Sequence, residues 1–520
     1  MARWYRSVHP DQGCLLPADV RSWLPPDHLA WQVIAATGQL DLSRFAAAYR
    51  ADGQGQAPYD PAMMVALLLY CYLKAIRSSR KIAAACIDDL GCRVIGGGAA
   101  PSHQAVATFI RRHRPEIRRL FVQVLALLAA DGAVAGHLAA VDGSPVSGNA
   151  SRFANLTGDQ LAAQIAAVEA AIEAEADAWL AGAAAGTQQP LWDGDGGDGE
   201  DDLPGDEGPG AGGGVPRRLA GLAARLTRLR AAQGKLAERQ AAPGGAAARI
   251  SAAQDAADAA ARRLAEAEAA QAAKVEKYQA AVAAGKPWRY GKVPLPAGQN
   301  KKVARLAQRA RNAEARLAAA RAAAAASPAK VSATDPDSRL LPAKNGGWLQ
   351  GWNLQLTAAR RQVLLAAELH DNPADTGALT QMITTAAANC DLAGLAGQIR
   401  AWLAGNGYAS AASFKELEHL MLLVAVRREA AQAGRADAAG APPEGWEKMA
   451  TRLATPAGKK LYQRRAVLVE PAFAQFFARF GRYLNYRGRD AADTEIKLLA
   501  TVHNLGKLLD YRRRHPAPAT

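Results

Sequence analysis

Two acidic residues far apart in the chain are placed for chemistry. Asp142 ends the apolar run His137-Leu-Ala-Ala-Val141 and is followed by Gly143 and Ser144. Glu470 lies in Leu461-Tyr-Gln-Arg-Arg-Ala-Val-Leu-Val-Glu-Pro-Ala-Phe473, closely preceded by Arg464 and Arg465. A strand-end carboxylate paired with a distant one among arginines suits metal-dependent phosphodiester chemistry. There, two divalent ions about 3.5–4 Å apart activate the attacking oxygen and stabilise the leaving one. Hard Mg2+ takes charged oxygen ligands, and in open α/β sheets such groups gather where side chains leave the strand ends. By residue type alone Asp142 would be a turn cap, and Arg464 and Arg465 solvated helix charge. The elements around them decide between these readings.

Residues 1–131 read as a helical N-terminal domain. Asp60-Pro61 opens one helix, and Ser78-Ser79 precede another. Gly91 to Gly98 is a turn-rich break. Ser102 caps a further helix with Ala105, Val106, Phe109 and Ile110 as its buried stripe. Arg111, Arg112, His113 and Arg114 follow directly. Two short helices about a glycine-rich turn, the second ending in basic residues, have the outline of a helix-turn-helix, so Arg111, Arg112 and His113 are candidate DNA contacts.

Residues 132–155 carry the Asp142 strand, and from 156 to 330 the composition turns to alanine, arginine and glutamate. Leu219, Leu222, Leu226, Leu229 and Leu236 fit a and d sites with Gln233 at one a site; Val303, Leu306, Ala310, Ala313, Leu317 and Ala320 repeat the spacing. Three helices folded back as a coiled-coil insertion are expected. The acidic, glycine-rich stretch 192–216 reads as a solvated linker. In Lys286-Pro-Trp-Arg-Tyr-Gly-Lys292, aromatics among cations suit base stacking with phosphate contact, but Trp288 is rather expected to pack on a neighbouring helix. Residues 331–520 complete the core. Trp348-Leu-Gln-Gly-Trp-Asn-Leu-Gln-Leu356 alternates, Gln362 to Leu369 is a buried strand, a helix spans about 375–388, and Ile399 to Ala404 and His419 to Val426 are strands. Helices follow from 460. This order is that of an α/β protein with a ribonuclease-H-like mixed sheet flanked by helices.

The chain has 520 residues, enough for two to four domains. No apolar run reaches the length of a membrane span, and the N-terminus lacks a signal peptide's apolar core, so a cytoplasmic location is the default. The five cysteines form no CxxC pair and read as buried thiols. A formal net charge of +15 favours a polyanionic partner.

Several motifs in chain order resemble bacterial insertion-sequence transposases of the DDE superfamily. Tyr59-Asp-Pro61, Leu68-Leu-Tyr70 and Ile76-Arg-Ser-Ser-Arg-Lys81 are similar to the N-terminal domain of that family. Val141-Asp-Gly-Ser144 with Gly148-Asn-Ala-Ser151 resembles the stretch around its first catalytic aspartate. Thr334 to Arg339 and Gly351-Trp-Asn-Leu-Gln355 resemble the re-entry into its core. Tyr462, Arg465 and Glu470-Pro-Ala-Phe473 resemble its glutamate signature, and His503-Asn504-Leu505 its closing helix. The resemblance implies Asp142 and Glu470 as catalytic metal ligands, Mg2+ or Mn2+ as cofactor, and Tyr462, Arg464 and Arg465 as DNA-binding residues. It further implies terminal inverted repeats and target DNA as partners, and a nucleoid-associated homo-oligomer. The family's second aspartate precedes its tyrosine by three residues in Asp-x-Gly-Tyr. Here that position is Gly405, with Asn406 beside it; the family's later glycine and lysine are Ala474 and Phe477. The expectation is a transposase that binds insertion-sequence ends and catalyses metal-dependent DNA strand cleavage and transfer, impaired by the missing second aspartate. The alternatives are a degenerate transposase that binds without cutting and a coiled-coil DNA-binding scaffold.

Overall fold

The computed structural model describes residues 22–49, 58–134, 137–184, 217–242, 245–288, 292–326, 328–343, 346–375, 377–426 and 445–516. Cys14, the acidic stretch 192–216, Pro243-Gly244 and residues 289–291 lie outside them. The described chain falls into two units, one of residues 22–152 and 338–516, the other of residues 153–184 and 217–337.

The first unit begins with helices α1 (Leu29–Thr37), α2 (Ser43–Ala47), α3 (Pro61–Leu73), α4 (Ser79–Asp88), α5 (Leu90–Ile95), α6 (His103–Arg112) and α7 (Arg114–Ala130). Asp60 caps α3 by accepting from the N–H groups of Ala62 and Met63, and Ser102 caps α6 through Ala105 N. The expected break at Gly91–Gly98 is in part a helix. Asp89 accepts from Cys92 N at 2.9 Å and starts α5. Only the end of the stretch turns, with Gly97 and Gly98 at φ +58° and +87°, values that glycine adopts without a Cβ clash.

The chain continues through β1 (Leu138–Ser147) into the second unit, which holds β2 (Asn155–Leu156), α8 (Gly158–Ala184), α9 (Arg217–Ala241), α10 (Ala246–Ala283), α11 (Lys301–Ala326) and β3 (Val331–Ser332). Four helices stand where three were expected. α8 and α9 pair antiparallel, with Arg230 on Glu169 at 2.7 Å and Arg218 on Glu175 at 3.4 Å. α10 and α11 form a second pair. In α11 the 3-4 pattern holds: Val303, Ala310 and Leu317 are buried. In α9 Ala232, not Gln233, takes the buried place between Leu229 and Leu236, because a small apolar side chain needs no hydrogen-bond partner there. Trp288 meets Tyr278 edge-on at 5.4 Å.

Back in the first unit follow β4 (Arg339–Pro342), β5 (Trp348–Ala359), β6 (Leu364–His370), α12 (Ala378–Leu392), β7 (Ala401–Ala404), α13 (Ala411–Glu416), β8 (Leu422–Val424), α14 (Trp446–Ala454), α15 (Pro456–Tyr462), α16 (Arg464–Phe480) and α17 (Arg489–Arg514). The sheet runs β4-β5-β1-β7-β8, with β6 also on β5. β1, β5 and β6 pair antiparallel, while β1, β7 and β8 are parallel. The alternation in β5 does not produce a wet face. Asn353, Gln355 and Thr357 are as buried as Trp352, Leu354 and Leu356. Cys71, Cys86, Cys92 and Cys390 are buried and unbridged. No helix among the described residues is long and apolar enough to cross a membrane.

Pro471 lies inside α16 and does not start it. Its missing N–H leaves the Val467 carbonyl without an intrahelical donor, and Gln362 Nε2 approaches that oxygen at 3.5 Å. Arg361 and Gln362 have φ of +62° and +59°. This bend is gripped from α17, where Asn504 accepts from Leu364 N at 2.9 Å and donates to Leu364 O at 2.8 Å. His503 Nε2 is 2.9 Å from Gln362 O, so the neutral ring donates there. Burial pushes the His503 pKa down to about 4. An unfolded histidine takes up its proton near pH 6.5, so between those values the unfolded chain binds more protons and stability is lost as pH is lowered. Between pH 7 and pH 4 this group should cost about 3 kcal/mol. His503→Gln, compared with the wild type by thermal melting across that range, should remove this part of the acid sensitivity; identical pH slopes would refute it.

Candidate active site

The strand register sets the geometry. β1 and β7 are parallel with Val141 opposite Ala404, where β7 ends and a single 3-10 turn, Asn406–Tyr408, begins. Asp142 and Gly405 therefore follow at the same level of neighbouring strands. Asp142 is not at the end of its own strand: β1 runs on to Ser147 against β5. What ends beside Asp142 is the parallel neighbour, and that opens the space its side chain uses.

Arg465, in the first turn of α16, reaches into this space. Its Nη1 is 3.1 Å from Asp142 Oδ2 and its Nη2 is 3.8 Å from Glu470 Oε1. The two expected carboxylates are thus brought together by an arginine that touches both. Side-chain exposure is 29% for Asp142, 20% for Arg465 and 61% for Glu470, so one end of the array is sheltered and the other faces water. Burial pushes the Asp142 carboxyl up, against the pull of Arg465 and of the Gly143 N–H, and Asp375 adds to the rise. Burial would pull the Arg465 guanidinium down, but Asp142, Tyr462 and Glu470 hold it above its ordinary value. Tyr462, at the end of α15, donates to Ala404 O at 3.3 Å and ties the start of α16 to the end of β7.

A second polar group lies near Asp142, against Gly143. Asp375 Oδ1 accepts from Asn353 Nδ2 at 3.0 Å and Gln355 Nε2 at 2.8 Å, and Tyr408 donates to Gln355 Oε1. A Cβ on Gly143 would stand 2.4 Å from Asp375 Oδ1 and 2.3 Å from Gln355 Nε2, so a side chain there would push these polar ends apart. Asp375, Asn353, Gln355 and Tyr408 were not identified as site neighbours from the sequence, and Asp375 had no evident place near Asp142. The available signal was the pair of amides at alternate positions among the apolar residues Trp352, Leu354 and Leu356, since buried amides require partners.

The remaining candidates are dispersed. Arg464 is exposed beside Arg465. Arg111 and Arg112 are both exposed at the end of α6, and Arg112 donates to Ala48 O and stacks at 4.5 Å over the Tyr49 ring. His113 is fully buried, 3.0 Å from Tyr49 Oη and in ring contact with Phe45 and Phe109. The expectation that His113 meets DNA therefore gives way to a packing role: its apolar neighbours close the α6–α7 corner over it. Phe477, at the family's lysine position, stacks on Phe473 and carries the Arg482 guanidinium 4.0 Å above its ring. Arg482 Nη1 in turn donates to Ser144 Oγ at 3.0 Å.

The donor set does not fit a pair of divalent ions. Asp142 and Glu470 supply carboxylate oxygens, Gly405 supplies none, and the cation touching both carboxylates is a guanidinium. Among the described residues no three His, Cys, Asp or Glu side chains are grouped to hold a metal ion. The array sets two carboxylates against one guanidinium, with Arg464 exposed beside it.

Residues 18–112 match a family described as a transposase domain, and residues 444–509 match one described as a transposase DDE domain. The second match contains Arg465, Glu470 and the His503-Asn504 grip; Asp142 and Gly405 lie outside both. Neither a search of curated proteins nor one of solved structures gave a match.

Proposed function

We propose, from the premise that these two family matches support an insertion-sequence DDE transposase, that the chain binds the DNA ends of its element and is impaired in cutting them. The observation that carries this reading is the arginine-bridged pair Asp142–Arg465–Glu470 with Gly405 level with Asp142. The sheet order, with an antiparallel half and a parallel half meeting at β1, supports a ribonuclease-H-like core. The DDE family depends in general on divalent metal; here two of the three carboxylates are present, and no cleavage step is assigned to them.

In this reading Asp142 orients Arg465, and Arg464 and Arg465 clamp a backbone phosphate, a contact that positions DNA without reading its sequence. Tyr462 keeps that arginine at the end of β7. Residues 1–131 supply end recognition, with Arg111 and Arg112 the exposed candidates on α6. The reading carries with it a cytoplasmic, nucleoid-bound homo-oligomer.

The test pairs binding with cutting on a duplex carrying the terminal inverted repeat. The wild type should bind this duplex in preference to a scrambled one. Its nicking with Mg2+ or Mn2+ should not exceed that of Asp142→Ala. Nicking that Asp142→Ala abolishes would reject the impairment. Equal binding to the scrambled duplex would reject end recognition and favour the scaffold reading.

A further inference from the structure

The two helical hairpins of the second unit balance their charge differently. α8 carries five acids and no Lys or Arg, while α9 carries seven cations against Glu238 alone. They face each other, and Arg230–Glu169 and Arg218–Glu175 join them. α11 likewise carries seven cations against one acid, Glu314. Its partner α10 has five of each sign and no surplus to answer it.

Four of the α11 cations form a row. Lys302, Arg305, Arg309 and Arg316 follow at spacings of three, four and seven, which lie on one helix face. All four are exposed, and none of their side chains makes an ion pair or hydrogen bond among the described residues. Lys302, Arg309 and Arg316 each precede a buried seam residue, Val303, Ala310 or Leu317. One position is about 100° of turn, so the row flanks the seam and the packing of α10 does not cover it. From Lys302 to Arg316 the row spans about 21 Å at 1.5 Å per residue. A duplex of that length carries about 12 phosphate charges.

We propose that this row is a second DNA surface, one that takes the phosphate backbone of double-stranded DNA regardless of sequence. It rests on the reading above only in taking DNA as the partner. A rigid row of unanswered cations fits a polyanion of regular charge spacing, because each phosphate it neutralises releases a condensed counterion.

The test uses the full chain and a random-sequence 60-base-pair duplex, with affinity measured by fluorescence anisotropy between 50 and 200 mM salt. The row variant is Lys302→Gln, Arg305→Gln, Arg309→Gln and Arg316→Gln. Glutamine is a good helix former, so the helix should persist, and circular dichroism checks this. The control removes four exposed α10 cations by Arg262→Gln, Arg263→Gln, Lys274→Gln and Lys277→Gln. The row variant should flatten the log–log salt slope by about 3.6, so that the wild type loses roughly 150-fold more affinity over that range. The control should change it by less than about one. Equal effects of the two variants, or an unchanged slope in the row variant, would overturn the proposal. Preference for the terminal repeat is read from parallel titrations. A row-dependent slope without that preference rejects end recognition and keeps the row; preference with a row-independent slope does the reverse.

Discussion

Gly405→Asp should give this protein a divalent-ion site and raise strand cleavage at the terminal repeat by at least about 100-fold, since a bound ion supplies several kcal/mol of transition-state stabilisation. The space is there. Among the described residues, its chain neighbours aside, the only atom within 4 Å of a Cβ built on Gly405 is Arg465 Nη1, at 3.8 Å. The backbone is extended, at φ −74° and ψ 171°, so a side chain is adopted without strain. The parallel register brings the new carboxylate level with Asp142, the arrangement in which two carboxylates share one ion. It would also meet Arg465, so the ion must compete with a guanidinium for both acids. Calorimetric titration with Mn2+ separates binding from turnover: the variant should bind the ion, and adding Asp142→Ala should abolish that binding. If neither Mn2+ binding nor cleavage rises, Gly405 is not the place of the family's second aspartate.

Arg77→Ala should destabilise the first unit by about 3–5 kcal/mol, the usual result of removing one partner of a buried ion pair. Arg77 and Glu495 are 4% and 1% exposed. The guanidinium donates to Phe480 O, to Tyr483 O at 2.7 Å and to Glu495 Oε1 at 2.6 Å, and it lies 4.6 Å over the Tyr483 ring. Glu495 Oε2 accepts from the N–H groups of Asn485 and Tyr486. Alanine leaves that carboxylate buried without its cation and frees two carbonyls at the α16–α17 corner. A fall in melting temperature of roughly 5–10 °C is expected. The double variant Arg77→Met with Glu495→Leu should recover part of the loss, because no orphan charge remains. Wild-type melting of Arg77→Ala would show that this clamp does not join α3 and α4 to the C-terminal helices. The Ile76–Lys81 motif thus carries a residue that holds the fold.

The divide between what was legible and what was not follows the range of the interactions. Asp60 and Ser102 start helices because a side-chain oxygen satisfies N–H groups two or three residues on. The seam of α11 is written in its spacing, since 3.6 residues per turn bring Val303, Ala310 and Leu317 into line. Failures came where a distant neighbour chose. Gln233 fits the heptad by count, yet Ala232 is buried. His113 follows two arginines, yet Phe45, Tyr49 and Phe109 close around it.

At the site itself, the sequence alone determined which acids are present and which is missing: Asp142 and Glu470 stand in their motifs, and residue 405 is a glycine with no ligand to offer. Only the tertiary structure decided what those residues meet. Strand register set Gly405 level with Asp142, helix α16 brought Arg465 between the two carboxylates, and the loop before α12 delivered Asp375 to Gly143. The physical reason is that side-chain chemistry is a local property, whereas the partner that neutralises a charge is chosen by packing between segments hundreds of residues apart.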